Sequence, residues 1–227
     1  MRVLAIDTAL AACSAAVLDT EQGGIVASES LPMMRGHAEA LMPLLARLMD
    51  QAGMGFPDID RVVVTSGPGS FTGLRVGIAA ARGIALAADK PAIGLSTLSA
   101  YAAPHMAADD RFPVIAAIDA RHEHVYLQVF GPGGRTLTAP RLATLREAVR
   151  AAADAPACIV GSAALAVAAA LSPADAAPAA VDARAAPDIA WVARMGAVLP
   201  EGQSPPKPQY LRAPDAQPQN AAQLPRR

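Results

Sequence analysis

The stretch RVLAIDTALAACSAAVLDTEQGGIVASES, Arg2–Ser30, decides the fold. Aliphatic and β-branched residues dominate Val3–Ile6 and recur at Ser14–Leu18, and Gly23-Gly24 marks a hairpin turn before Ile25–Ser28. Three consecutive strands joined by tight connections start a sheet in antiparallel fashion. The tetrapeptide AIDT at Ala5–Thr8 is echoed by AIDA at Ala117–Ala120, each behind an aliphatic run and each ahead of a second strand. Asp7 and Asp119 therefore take matching places. Two lobes that each open with a strand, an Asp-bearing turn and a return strand predict a duplicated α/β unit.

Outward from this start, Leu41, Leu45, Leu48 and Ala52 share one stripe of a helix predicted over His37–Ala52, broadened by Met42 and Met49. Pro43 lies inside that pattern, and its missing donor should kink the first turns or delay the helix start. Arg61–Thr65 reads as a strand, Gly73–Ala88 as a second helix, and Ala92–Leu95 as a further strand with Ser96 capping a third helix towards His105. A polar break at Asp109–Arg111 precedes the second lobe. There, Ala157–Val160 reads as a strand, and Ala163–Leu171, Thr144–Ala153 and Asp188–Leu199 as helices. The expected division is an N-terminal lobe over 1–110, a smaller second lobe over 111–203, and a Pro-rich tail over 204–227. That tail holds six of the 20 prolines, no glycine and almost no apolar periodicity, and is expected to be extended or disordered after about Arg212.

Composition limits the functions open to the chain. Apolar residues make up 53% and aromatics only 4%, so the core must be built from Ala, Val, Leu and Ile. Formal charge is −1, without the basic excess that a chain gripping RNA phosphates by itself would carry. Cys13 and Cys158 stand far apart with no CxxC spacing, as two reduced, buried thiols would. The LAAC of Leu10–Cys13 resembles a lipoprotein cleavage site, but Asp7 interrupts the apolar stretch in front of it. The uncharged run Ala155–Ala174 has the length of a membrane span but contains Pro156, Gly161 and Pro173. The expectation is a soluble, cytoplasmic chain with no membrane contact.

The segment SGPGSFTGLRVGIAAARGIALAADKPAIGL, Ser66–Leu95, is the richest in motifs. A Walker loop needs Gly-Lys-Ser/Thr, and no lysine stands there; Gly67, Gly69 and Gly73 are spaced GxGxxxG, which also misses the dinucleotide fingerprint. A tight strand-to-helix turn is the better reading, with Ser70 or Thr72 as cap. In the helix beyond it, Gly73, Gly77, Ala81 and Ala85 recur every four residues, and only Arg75 and Arg82 are charged. A helix apolar almost all round must be covered on both sides, so the small-residue stripe is expected to admit a second protein.

With these residues in hand the resemblance is plain. VLAIDTALAACSAAVL, RGHAEALMPLL, VVVTSGPGSFTGLRVGIAAARGIALA, PAIGLSTLSAYA and IDARHEHVYLQVF together resemble the TsaB/YeaZ family over about residues 1–130, and PQYLRAPDA, Pro208–Ala216, is similar to its C-terminal signature. The resemblance implies the duplicated sugar kinase–Hsp70–actin fold, which is ribonuclease H-like in each lobe. It also implies a non-catalytic subunit that binds the related catalytic subunit TsaD, with the ATPase TsaE, and supports transfer of threonylcarbamoyl to adenosine 37 of tRNA. On that reading tRNA is met only through the complex, the free chain can pair with itself, and no cofactor is required. His37, Leu41, Leu45 and Leu48 of the first helix, and Gly73, Gly77, Ala81 and Ala85 of the second, are the expected partner-binding residues.

TsaD carries two metal-binding histidines four residues apart after the strand that follows the Gly-rich helix. Thr97 and Tyr101 stand at those places here, and neither is a good ligand for iron or zinc. His122, Glu123 and His124 form a cluster in which the two histidines would share a strand face, without an evident third ligand. Asp7 and Asp119 match the interlobe acids that handle nucleotide in active members of the fold and are the candidates for residual nucleotide binding. The competing reading is a small ATP-dependent kinase or ATPase of this fold, which would need the hydroxyl and glycine phosphate motifs that DTALAAC lacks. A metallopeptidase is a third, weakened by the missing histidines.

Overall fold

The computed structural model describes residues 1–200 and 205–212, so the part of the expected tail over 213–227 lies outside the described residues. The first half runs β1 (Arg2–Asp7), β2 (Ala12–Asp19), β3 (Gly24–Pro32), α1 (His37–Ala52), β4 (Arg61–Gly67), α2 (Phe71–Ala88), β5 (Ala92–Ser96) and α3 (Thr97–Ala108). The second half repeats the order: β6 (Val114–Asp119), β7 (His124–Phe130), β8 (Thr136–Thr144), α4 (Leu145–Ala153), β9 (Cys158–Val160), α5 (Ala164–Ala169), β10 (Ala180–Asp182) and α6 (Ile189–Val198). The sheets are β3-β2-β1-β4-β5 and β8-β7-β6-β9-β10, which is one topology twice. In each, the first strand pairs antiparallel with the second and parallel with the fourth. Asp7 and Asp119 both end the first strand of their sheet. The duplication read from AIDT and AIDA is thus a duplication of the whole lobe, in the actin-like, ribonuclease H-like arrangement.

Period-two alternation sends side chains to both faces of each sheet. Leu4, Ile6, Val62 and Val64 point towards α1 and α2, meeting Leu41, Leu45, Leu48, Leu74 and Ala81. Val3, Ala5, Ala16 and Val63 point the other way, and the helix that covers them is α6, through Ile189, Val192 and Ala193. Gly196 lies so close to the sheet that a Cβ there would collide with Val63. On the second sheet Ile115, Ala117, Leu127 and Ile159 meet α4 and α5, while Val114, Ala116 and Ile118 meet Leu98, Tyr101 and Ala102 of α3. The third helix of each half therefore covers the sheet of the other half.

Local signals account for most boundaries. Gly36 and Gly53, at φ of 89° and 63°, bracket α1 in the left-handed region where a side chain would be strained. Pro43 neither delays nor breaks α1, which starts at His37 and carries the proline on its exposed face. Thr144 and Glu147 form a reciprocal capping box at α4. Ser96 holds the N-cap position of α3 but makes no capping bond; its hydroxyl is buried without a partner among the described residues. Both cysteines are free and buried, and burial pushes the Cys13 thiol up to about 11.

Candidate functional site: an interlobe cleft and a pair of outer helices

The carboxyl ends of the central strands of both sheets face one cleft of about 510 Å³. Its walls are Leu10 and Ala11 after β1, Pro68–Phe71 at the start of α2, Asp119–Arg121 after β6, Ser162 after β9, and Gln209–Arg212. Open α/β sheets place ligands at such strand ends.

The two candidate acids have different surroundings here. Asp7 is fully buried and absent from the cleft wall. Its Oδ1 accepts the Ala9 amide at 3.0 Å and the Thr65 hydroxyl, and its Oδ2 has no hydrogen-bond partner among the described residues. Burial holds the carboxyl above its ordinary 3.8, against the opposing pull of Thr65, the Ala9 amide and His37. Asp119 is exposed on the wall, but its carboxylate is occupied locally by the Arg121 amide at 2.8 Å, and its own amide donates to Ser162 Oγ at 3.0 Å.

The Gly-rich turn is also closed on itself. Ser70 caps α2 by accepting the Gly73 amide at 3.3 Å, while the Ser70 amide donates to the Ala9 carbonyl at 2.7 Å. Two of the amides a phosphate would need at this helix start are therefore already engaged. The glycines serve close approach. A Cβ on Gly73 would strike the Thr8 carbonyl oxygen, and one on Gly77 would strike the Thr8 hydroxyl.

That observation corrects the expected partner surface. Gly73, Gly77, Ala81 and Ala85 are buried against the chain's own β1–β2 loop and first sheet, and His37, Leu41, Leu45 and Leu48 are buried beside them. The His37 imidazole is spent on the Leu10 carbonyl at 3.0 Å. The helices nevertheless have solvent-facing sides: Ala38, Met42 and Ala46 on α1, and Arg75, Ala79, Arg82 and Leu86 on α2. Leu86 is 84% exposed and Met42 50%. α2 is long and apolar enough to cross a membrane by length and composition alone, and its Leu74, Ile78, Ala81, Ile84 and Ala85 lie in the core of the first lobe.

The polar candidates of the second lobe are also placed differently from the expectation. His122 and Glu123 do not lie on a strand; with Arg121 they form the β6–β7 turn, all three in the left-handed region at φ of 63°, 52° and 59°. Such a conformation costs roughly 1–2 kcal/mol per non-glycine residue. The turn is held by the Asp119 carboxylate, by the Leu145 amide on the Glu123 carbonyl at 2.8 Å, and by Arg212 Nη1 on the Ala120 carbonyl at 3.1 Å. His124 Nδ1 lies 2.7 Å from the His122 carbonyl oxygen. Tyr101 donates its hydroxyl to the Arg184 carbonyl at 2.9 Å, and the Thr97 hydroxyl is buried without a partner among the described residues. His105 is half-buried and paired with Asp182 at 3.0 Å. Among the described residues no group of three or more His, Cys, Asp and Glu is placed to hold a metal.

Topology and cleft together define a duplicated, two-lobed α/β protein of the actin-like class. The family model for TsaD, tRNA N6-adenosine threonylcarbamoyltransferase, matches residues 10–184. The chain is 40% identical over 126 residues to the tRNA threonylcarbamoyladenosine biosynthesis protein TsaB of Escherichia coli K12, covering 56% of this chain and 53% of that protein. It is 37% identical over 126 residues to the TsaB of Haemophilus influenzae, over 56% and 52% of the two chains. The chain thus spans about half the length of the curated relatives it matches. Among solved structures, YeaZ from Pseudomonas aeruginosa superposes with a TM-score of 0.69 at 28% identity, covering 86% of this chain and 90% of that one. A Pseudomonas aeruginosa protein described as similar to peptidase YeaZ gives 0.75 at 29%, covering 93% and 99%. The chain belongs to the TsaD family, in its TsaB/YeaZ branch.

Proposed function

We propose that this protein is a non-catalytic subunit of the cytoplasmic machinery for threonylcarbamoyladenosine in tRNA, binding TsaD and working with TsaE. TsaD performs the transfer of threonylcarbamoyl from its adenylate to N6 of adenosine 37, in tRNAs reading codons that begin with A. The relatives from Escherichia coli and Haemophilus influenzae, both tRNA threonylcarbamoyladenosine biosynthesis proteins by name, support the pathway. The observation that carries the non-catalytic role is the state of the cleft: Asp7 is sealed beneath it, and the Ser70 and Gly73 amides at the start of α2 are already bonded within the chain. Partner docking is assigned to the solvent-facing sides of α1 and α2, where Met42 and Leu86 present apolar surface beside Arg75 and Arg82. A homodimer of the free chain would use the same surface.

Reconstitution tests the reading. Purified chain alone should hydrolyse no ATP, and with TsaD and TsaE it should restore threonylcarbamoyladenosine on a tRNA transcript, measured by nucleoside mass spectrometry. Asp119→Ala should lower that yield by less than about tenfold, equivalent to ~1.4 kcal/mol of barrier. ATP turnover by the chain alone, abolished in Asp119→Ala, would favour the kinase or ATPase reading instead.

A further inference from the structure

The segment of residues 205–212 passes from one lobe to the other across the cleft. It starts on the first sheet, where Pro206 packs so closely on Gly94 that a Cβ there would stand 3.1 Å from the proline's own. The Gln209 amide then donates to the Ser66 carbonyl at 2.7 Å, and the Gln209 carbonyl lies over Gly67, at 2.7 Å from where a Cβ would be. Tyr210 stacks on Phe71 with ring centroids 5.0 Å apart, and its hydroxyl accepts Arg75 Nε at 3.0 Å. The Arg75 guanidinium also lies 3.8 Å from the Phe71 ring centroid. Two residues further on, Arg212 reaches the second lobe and donates to the Ala120 carbonyl at 3.1 Å, next to the three left-handed residues of the β6–β7 turn. Gln209–Arg212 are at the same time a wall of the cleft.

We propose that residues 205–212 are an interlobe strap that holds the cleft at its observed opening and steadies the β6–β7 turn. Each end has its own anchor: a backbone bond and an aromatic stack on the first lobe, and a charged side chain on the second. A hydrogen bond from a guanidinium is stronger than one between neutral groups, and the carbonyl it restrains belongs to a turn whose backbone has left its preferred region. Releasing Arg212 frees the lobes to rotate against each other and the turn to relax. Releasing Tyr210 loosens the near anchor and has the same consequence. The strap is a property of this chain alone and does not depend on the function proposed above.

Arg212→Ala and Tyr210→Ala in the full chain test this. Amide hydrogen exchange at Arg121–Val125 and at Leu145 should rise at least about tenfold in Arg212→Ala, with amides of β1 and β4 unchanged. Spin labels on cysteines introduced at the exposed Ala79 and Ala151 should report one narrow distance in the parent chain and a broader distribution in both variants. The native cysteines are buried in each lobe. Unchanged exchange at the turn, an unchanged distance distribution, or a uniform rise of exchange over both sheets would each overturn the proposal.

Discussion

The Thr8 hydroxyl donates to the Gly73 carbonyl at 2.7 Å, tying the end of β1 to the first turn of α2 inside the core. Gly77 faces the same hydroxyl one turn later. This contact makes the small-residue stripe a device for bringing a helix onto its own strand ends.

Gly77→Leu should therefore destabilise the first lobe, by about 1–3 kcal/mol or more from overpacking against Thr8 and Val64. Gly83 supplies the control on the opposite side of the same helix, where an added Cβ meets nothing within 4 Å. Gly83→Ala should stabilise by roughly 0.5–1 kcal/mol. Urea unfolding of the two variants beside the parent checks both signs.

Leu86→Glu should leave the thermal midpoint near that of the parent, because the side chain is 84% exposed. Its association with TsaD should weaken by at least tenfold, or about 1.4 kcal/mol, and Met42→Glu should behave alike. Calorimetric titration measures the affinity. A folded Leu86→Glu protein that binds TsaD as tightly as the parent would sink the docking assignment.

Two carboxylates give stability opposite dependences on pH. Burial raises Asp7 above its ordinary 3.8, so the folded state retains a proton that the unfolded chain has released, and stability falls as pH rises above that value. Glu147 is held down to about 2 by the Thr144 amide, Arg141 and the Thr144 hydroxyl. Its contribution is present above its ordinary 4.5 and is lost as pH falls towards about 2. Asp7→Asn should remove the descending limb and Glu147→Gln should soften the acid limb, read from urea midpoints against pH.

Gly196→Ala should destabilise although it replaces a helical glycine, a change that helps an open helix by about 0.5–1 kcal/mol. The added methyl has to displace Val63 of β4, at a cost of roughly 1–3 kcal/mol. Thermal unfolding decides the sign.

Much of this architecture was legible from local pattern. The α1 boundaries coincide with the predicted His37–Ala52, and the Asp7/Asp119 echo announced the duplicated topology. Which side of α2 faces inward was not legible. A helix apolar almost all round carries little angular information, and the steric demand that selects Gly73 and Gly77 comes from Thr8, far away in sequence. The left-handed run at Arg121–Glu123 contains no glycine to betray it, and tertiary hydrogen bonds hold it there. Residues 205–212 carry no helix or strand, and nothing local in their sequence tells which surfaces such a chain will cross.

The exchange of α3 and α6 between the lobes has a consequence for synthesis of the chain. Translation completes all five strands of the first sheet by Ser96, yet the helix that covers Val3, Ala5, Ala16 and Val63 is made only at Ile189–Val198. At about 5–20 residues per second, that apolar face waits several seconds for its cover while the whole second lobe is being made. A chaperone that takes hold of nascent chains would find this face in the interval, and a ribosome stalled near residue 185 would display it for as long as the stall lasts.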